Sequence, residues 1–110
     1  MTCEREVEAY LIKRIKELGG EVRKVKWLGR NGAPDRLVLL PLRYDEDVSP
    51  PQPIPANATW VELKRPDAKA KPHQLREHER LRSYGATVFV LDSEEAIDST
   101  WPKTFKWRVM

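Results

Sequence analysis

The sequence predicts an α/β fold, a small mixed sheet flanked by helices in the order helix, three strands, helix, strand. Three observations predict it. The first segment repeats its apolar residues at helical spacing, the middle holds short apolar runs bounded by Gly and Pro, and a charged helical segment separates the third run from a fourth. At 110 residues the chain can enclose one core but not two, so one domain is expected over residues 1–110.

Taken in order, Val7, Leu11, Ile15 and Leu18 recur every three or four residues, with Tyr10 and Ile12 beside them, and predict a helix over 4–18. Gly19-Gly20 ends it. "EVRKVKW" (21–27) reads as a strand with a basic face, "LGRNGAPD" as a glycine turn, and "DRLVLLPL" (35–42) as a strand apolar enough to be central. Residues 43–59, "RYDEDVSPPQPIPANAT", have no regular period and read as a proline-rich exposed loop within a long hairpin. "TWVELK" (59–64) is the third strand. Pro72 suits the first turn of a helix running to about Tyr84, with Leu75, Leu81 and Tyr84 on its inner face. "ATVFVLD" (86–92) is a buried strand, and "DSEE" (92–95) has capping-box spacing that opens a short last helix. The C-terminal segment interleaves Trp101, Phe105 and Trp107 with Lys103, Lys106 and Arg108. Stacking on bases and burial against the core or a second chain both fit it.

The third strand carries the chemistry. Strand alternation puts Trp60, Glu62 and Lys64 on one side and Val61 and Leu63 on the other, which reads as core. If this strand pairs with the second as a hairpin, Asp35 of "APD" approaches Glu62 at one end of the sheet. Two converging carboxylates repel unless a cation lies between them. Hard oxygen ligands completed by water suit Mg²⁺ or Mn²⁺, and the backbone carbonyl of Leu63 offers another oxygen. Lys64 can then orient a water and stabilise charge developing on a phosphate. Standing alone, Glu62 and Lys64 would read as a surface salt bridge worth under about 1 kcal/mol. Asp35, preceded by a proline, and Gln74 downstream together tip the reading towards phosphodiester hydrolysis.

The ordered pieces "EREVEAYLIKRIKELGG", "GRNGAPDRLVLLP", "WVELKRP", "KPHQLREHERLRSYG" and "TVFVLDS" resemble the VRR-NUC branch of the PD-(D/E)xK nucleases over about residues 4 to 97. An isolated ExK triplet carries little information, whereas the ordered set on matching elements is specific. The resemblance implies a restriction-endonuclease-like α-β-β-β-α-β core and a Mg²⁺- or Mn²⁺-dependent DNA endonuclease. It makes Asp35 and Glu62 metal-binding acids, Lys64 the motif lysine and Gln74 an active-site glutamine. It also asks for a glutamate on the first helix, which Glu8 matches best and Glu4 matches as well. Small stand-alone members resemble structure-selective enzymes that cut branched DNA such as four-way (Holliday) junctions as homodimers. The sequence departs from the family in its proline-rich loop and in reading "VLDS" where the branch has a basic ending.

The net charge of +3 permits a polyanionic partner without demanding one. Basic residues on the first strand (Arg23, Lys24, Lys26), in the turn (Arg30) and beyond the motif (Arg65, Lys69, Lys71) are expected to rim the acidic centre and grip DNA backbone. Lys13, Arg14 and Lys16 read as a solvated helix face, and His73 and His78 as surface residues whose spacing does not suit zinc. The "GRNG" turn could cradle phosphate or be an ordinary turn. Cys3 is the sole cysteine, and no apolar run approaches the roughly 18 residues that span a bilayer. No membrane partner is expected. The location expected is cytoplasmic, in a bacterial cell or in the host of a phage. The alternative function is a non-catalytic nucleic-acid-binding subunit of a repair, recombination or packaging complex.

Overall fold

The computed structural model describes residues 3–41 and 58–102, together with the backbone of 43–45, 52–53 and 107–109. Among these the chain runs α1 (Glu4–Glu17), β1 (Glu21–Lys24), β2 (Arg36–Leu39), β3 (Arg43–Asp45), β4 (Gln52–Pro53), β5 (Ala58–Leu63), α2 (Pro72–Ser83), β6 (Val88–Leu91), α3 (Glu94–Thr100) and β7 (Trp107–Val109). The predicted α/β class and the α-β-β-β-α-β order of the core are both present, as α1, β1, β2, β5, α2 and β6.

The main sheet has the order β1-β2-β5-β6. Its first three strands are antiparallel, and β6 lies parallel to β5, the two being joined through α2 as a crossover. Register fixes the faces. Arg36 pairs with Val61 and Val38 with Thr59, while Glu62 pairs with Val90 and Leu63 with Leu91. The side chains of Val38, Val61, Leu63 and Leu91 close one core with Val7, Leu11 and Ile15 of α1, and with Ile97 and Trp101 of the α3 region. Val7, Leu11 and Ile15 are fully buried, as the helical spacing predicts. Ser93 caps α3 by accepting the N–H of Ala96, and the Tyr10 hydroxyl donates to Asp98 at 2.7 Å, fastening α3 to α1.

The expectations for Arg14, Leu75, Tyr84 and His78 are corrected. Arg14 is buried rather than solvated, and its guanidinium donates to the Trp101 carbonyl at 2.9 Å. A long side chain on a helix flank can extend over the core edge and satisfy a carbonyl at the end of another helix there, Trp101 being the C-cap of α3. Trp101 is itself buried, whereas the side chain of Trp107 lies outside the described residues. Leu75 and Tyr84 are exposed, and His78 is fully buried. The inner stripe of α2 is mostly polar, Gln74, Glu77 and His78 with only Leu81 apolar as expected, because this face covers the glutamate-bearing side of β5 rather than an apolar one.

Residues 43–59 are not without strands. β3 pairs with β4 and with β7 as a second sheet of order β4-β3-β7. One of the two partners of β3 comes from residues 107–109, too distant for any local period to register. The exposure expected of the rest of this segment falls outside the described residues.

Candidate active site at one end of the sheet

The connectivity gathers several chain ends at one edge. β2 begins where β1, β5 and β6 finish, and α2 begins after the loop that leaves β5. Asp35 precedes β2 and stands one step beyond the Arg36–Val61 pair, opposite Glu62. The hairpin expected from the sequence therefore forms, with the expected register.

Glu62 is the centre of the electrostatics. Only 9% of the residue is exposed, and its Oε1 has no hydrogen-bond partner among the described residues. Burial pushes its carboxyl up to about 7. The Lys64 ammonium opposes that shift, Asp35 and Glu4 add to it, and Arg36 works against it. A buried acceptor left without a donor is costly, and its presence asks what satisfies it.

One neighbour is His78, whose Nε2 lies 3.5 Å from Glu62 Oε1. Neither ring nitrogen of His78 has a hydrogen-bond partner among the described residues. Burial holds the imidazole below the ordinary histidine range, and Arg82 and Lys64 press it the same way. A neutral ring therefore closes the inner side of Glu62.

Arg36 is a second residue that sequence reading did not place. Its guanidinium bonds the Glu8 carboxylate from one side, through Nε at 2.7 Å and through Nη2, and Asp35 at 2.8 Å from the other. Burial works against the charge of Arg36, but Glu8 and Asp35 outweigh it and raise its pKa. The two acids considered on α1 thus differ. Glu8 is joined to Asp35 through Arg36, while Glu4, exposed at the start of the helix, contributes its charge to Glu62. The signal available in sequence was the position of Arg36. It is one residue from Asp35, and alternation turns it to the α1 face.

Gln74 opens α2 at this same end, and its side-chain carbonyl accepts the N–H of Lys71 at 2.8 Å. The glycine turn fixes the start of α2 from outside. Gly32 has φ of 85°, and a Cβ there would come 2.9 Å from the His73 carbonyl and 3.2 Å from Gln74 Cα. Arg30 adds a 3.8 Å contact to Glu77. The turn is therefore a clamp on α2. Lys24, Lys26 and Arg30 share a groove with Asp35, whereas Lys69 lines a separate one with Leu75 and Asp92. Arg65 and Lys71 are exposed on the loop between β5 and α2, and Arg23 pairs with Glu21 on β1.

No set of three or more His, Cys, Asp or Glu among the described residues is placed to hold a metal. Mg²⁺ is commonly held by one or two carboxylates, with water filling its remaining positions. Asp35 opposite a buried, unsatisfied Glu62 oxygen fits that donor set.

The mixed sheet thus brings Asp35, Glu62 and Lys64 to one end of its strands, and the class of protein follows from likeness to known proteins. No family model matches the sequence. The chain is 38% identical over 92 residues to "Putative nuclease p44" of Acyrthosiphon pisum secondary endosymbiont phage 1, covering 84% of this chain and 85% of that one. It is also similar to a solved structure described as a VRR_NUC domain, with a TM-score of 0.72 and 40% identity over 96% of this chain and all of the other. The chain belongs to the VRR-NUC family of nucleases.

Proposed function

We propose that this protein is an endonuclease that hydrolyses DNA phosphodiester bonds with Mg²⁺ or Mn²⁺ held by Asp35 and Glu62. The observation that carries the reading is the buried Glu62 oxygen with no hydrogen-bond partner among the described residues, set opposite Asp35 and beside Lys64. The cation, when bound, neutralises the two carboxylates and polarises the scissile phosphate. The Leu63 carbonyl supplies a further oxygen. Lys64 orients the attacking water and meets the charge that develops on phosphorus, and Gln74 supports it from the start of α2. The water oxygen forms the new bond to phosphorus as the bond to the leaving sugar oxygen breaks; the water gives its proton to solvent, and the leaving oxygen takes one from solvent to become a hydroxyl. Arg36, braced by Glu8, holds Asp35 in place. Glu4, whose charge already acts on Glu62, would add a third negative charge for the cation to meet. His78 keeps water from the inner side of Glu62.

Lys24, Lys26, Arg30, Arg65, Lys69 and Lys71 grip the backbone without reading base edges, so binding is blind to sequence. A domain of this size offers little surface for two duplexes. A homodimer with paired sites suits symmetric cuts in a four-way junction, alone or within a repair or recombination complex. The test is incubation with junction, flap and duplex DNA in Mg²⁺, Mn²⁺ or EDTA. Cleavage in both metals, none in EDTA, and preference for the junction are expected. Cleavage undiminished by EDTA would contradict the reading.

A further inference from the structure

Beside Asp35 lies an open groove of about 480 Å³ lined by Lys24, Val25, Lys26, Trp27, Arg30 and Ala33. We infer that it receives an unpaired nucleotide next to the scissile phosphate, its base stacked on Trp27 and its backbone on Lys24, Lys26 and Arg30. The inference rests on the nuclease reading and names a feature of the substrate.

The indole is held as a wall. Its Nε1 donates to the Pro34 carbonyl at 2.8 Å, and its ring leans on Trp60 at 4.9 Å between centroids and 50° between planes. The loop carrying it is closed by the Val25 N–H bonding the Asp35 carbonyl at 2.8 Å. Trp27 is therefore positioned relative to Asp35 by two bonds, each joining its loop to the Pro34–Asp35 pair. A ring immobilised before binding loses little freedom when a base stacks on it.

The groove's charge selects the ligand class. Three cations line it with a tryptophan, and cationic tracks with aromatic platforms bind single strands through backbone and base faces together. Its volume falls within the range of small-ligand sites, about 300–1,000 Å³. A base inside a duplex already has both faces covered by its neighbours, so only an unpaired or unstacked one can use the wall. Leu28, next in the loop, is 86% exposed. A single exposed leucine is unremarkable alone, but apolar wedges beside a groove are a known means of parting a base step. Trp27 and Leu28 together give the substrate a local requirement, interrupted stacking at the branch point, in place of a requirement for arms of particular sequence.

The test uses the full chain and DNA carrying 2-aminopurine at an unpaired position beside the cut, with an abasic site there in a second substrate. Wild type should change the probe's fluorescence through stacking and should lose about tenfold in affinity when the base is removed. Trp27→Phe should retain most of both effects. Trp27→Leu should lose the fluorescence change and bind the abasic and base-containing substrates equally. The abasic arm alters the DNA alone, so the proposal stays testable even if Trp27→Leu fails to fold. Wild type that cuts the substrate but neither perturbs the probe nor distinguishes the abasic site overturns this inference and leaves the nuclease reading standing. Equal losses on abasic, unpaired and fully paired DNA in Trp27→Phe also overturn it, marking the indole as a strut. Failure of the nuclease reading is recorded separately, as the absence of cleaved product from every DNA in either metal.

Discussion

At Glu62, burial and charge act on one carboxyl, and the consequence is a pH dependence with a definite sign. Its folded pKa of about 7 lies above the value of 4.5 for an unperturbed glutamate. The folded state therefore holds the proton more tightly. The stability this lends is fully present below about pH 4.5 and is lost as pH rises through about 7. At about 1.4 kcal/mol per unit, the loss is on the order of 3 kcal/mol. In EDTA, Glu62→Gln should melt several degrees above wild type at pH 8, with the gap closing towards pH 4.5. Parallel melting curves across that window would show that Glu62 is not strained by burial. His78 has the opposite sign. Its depressed pKa lends stability above about 6.5, lost as pH falls through its folded value. At Lys64 the expected effect is kinetic. Lys64→Ala should lower single-turnover cleavage by at least about 100-fold with DNA affinity nearly unchanged, since its charge acts mainly in the transition state. Collapse of binding with normal turnover per complex would make it a phosphate grip instead.

Among the elements, the glycine turn separates conformational strain from contact. Gly29 and Gly32 both have positive φ, 73° and 85°, but only Gly32 packs against α2. A Cβ at Gly29 meets nothing within 4 Å, while one at Gly32 meets the His73 backbone. Gly29→Ala should therefore cost about 1 kcal/mol, and Gly32→Ala clearly more, with slower cleavage because the start of α2 shifts. Equal costs in chemical denaturation would show that the turn does not clamp the helix.

These elements also mark what sequence could reveal. The β2–β5 hairpin and its acids were legible because alternation and the PD–ELK pattern fix faces and ends locally. His78 was not, because the stripe that buries it is polar, and apolar periodicity on α2 pointed to Leu75 and Tyr84 instead. Arg14 was missed for a related reason, since its burial depends on the Trp101 carbonyl far along the chain. The β3-β4-β7 sheet takes one of its three strands from the C-terminal segment, so a window around residues 43–59 holds only one of the two partners of β3. The pairing of Glu8 with Arg36 was not legible either, since only the assembled fold supplies that contact.

On the scale of the whole molecule, Lys24, Lys26 and Arg30 share a groove with Asp35, and no helix among the described residues is long and apolar enough to cross a membrane. Binding through backbone contacts should fall steeply with salt, log K dropping by about 0.9 per phosphate neutralised on duplex arms. A homodimer should bind a four-way junction at least about tenfold more tightly than duplex of the same sequence, because the second site is engaged at high effective concentration. Competition gel shifts at fixed salt measure this, and equal affinities would remove the junction preference while leaving the catalytic site intact.

The most direct measurement of that site is calorimetric titration of Mn²⁺ into wild type, Asp35→Ala and Glu62→Gln, at pH 8 and again near pH 5. The account predicts a bound cation in wild type, weakened at least about tenfold by either substitution. It also predicts weaker wild-type binding near pH 5, where Glu62 holds its proton. Equal heats from all three proteins would contradict it.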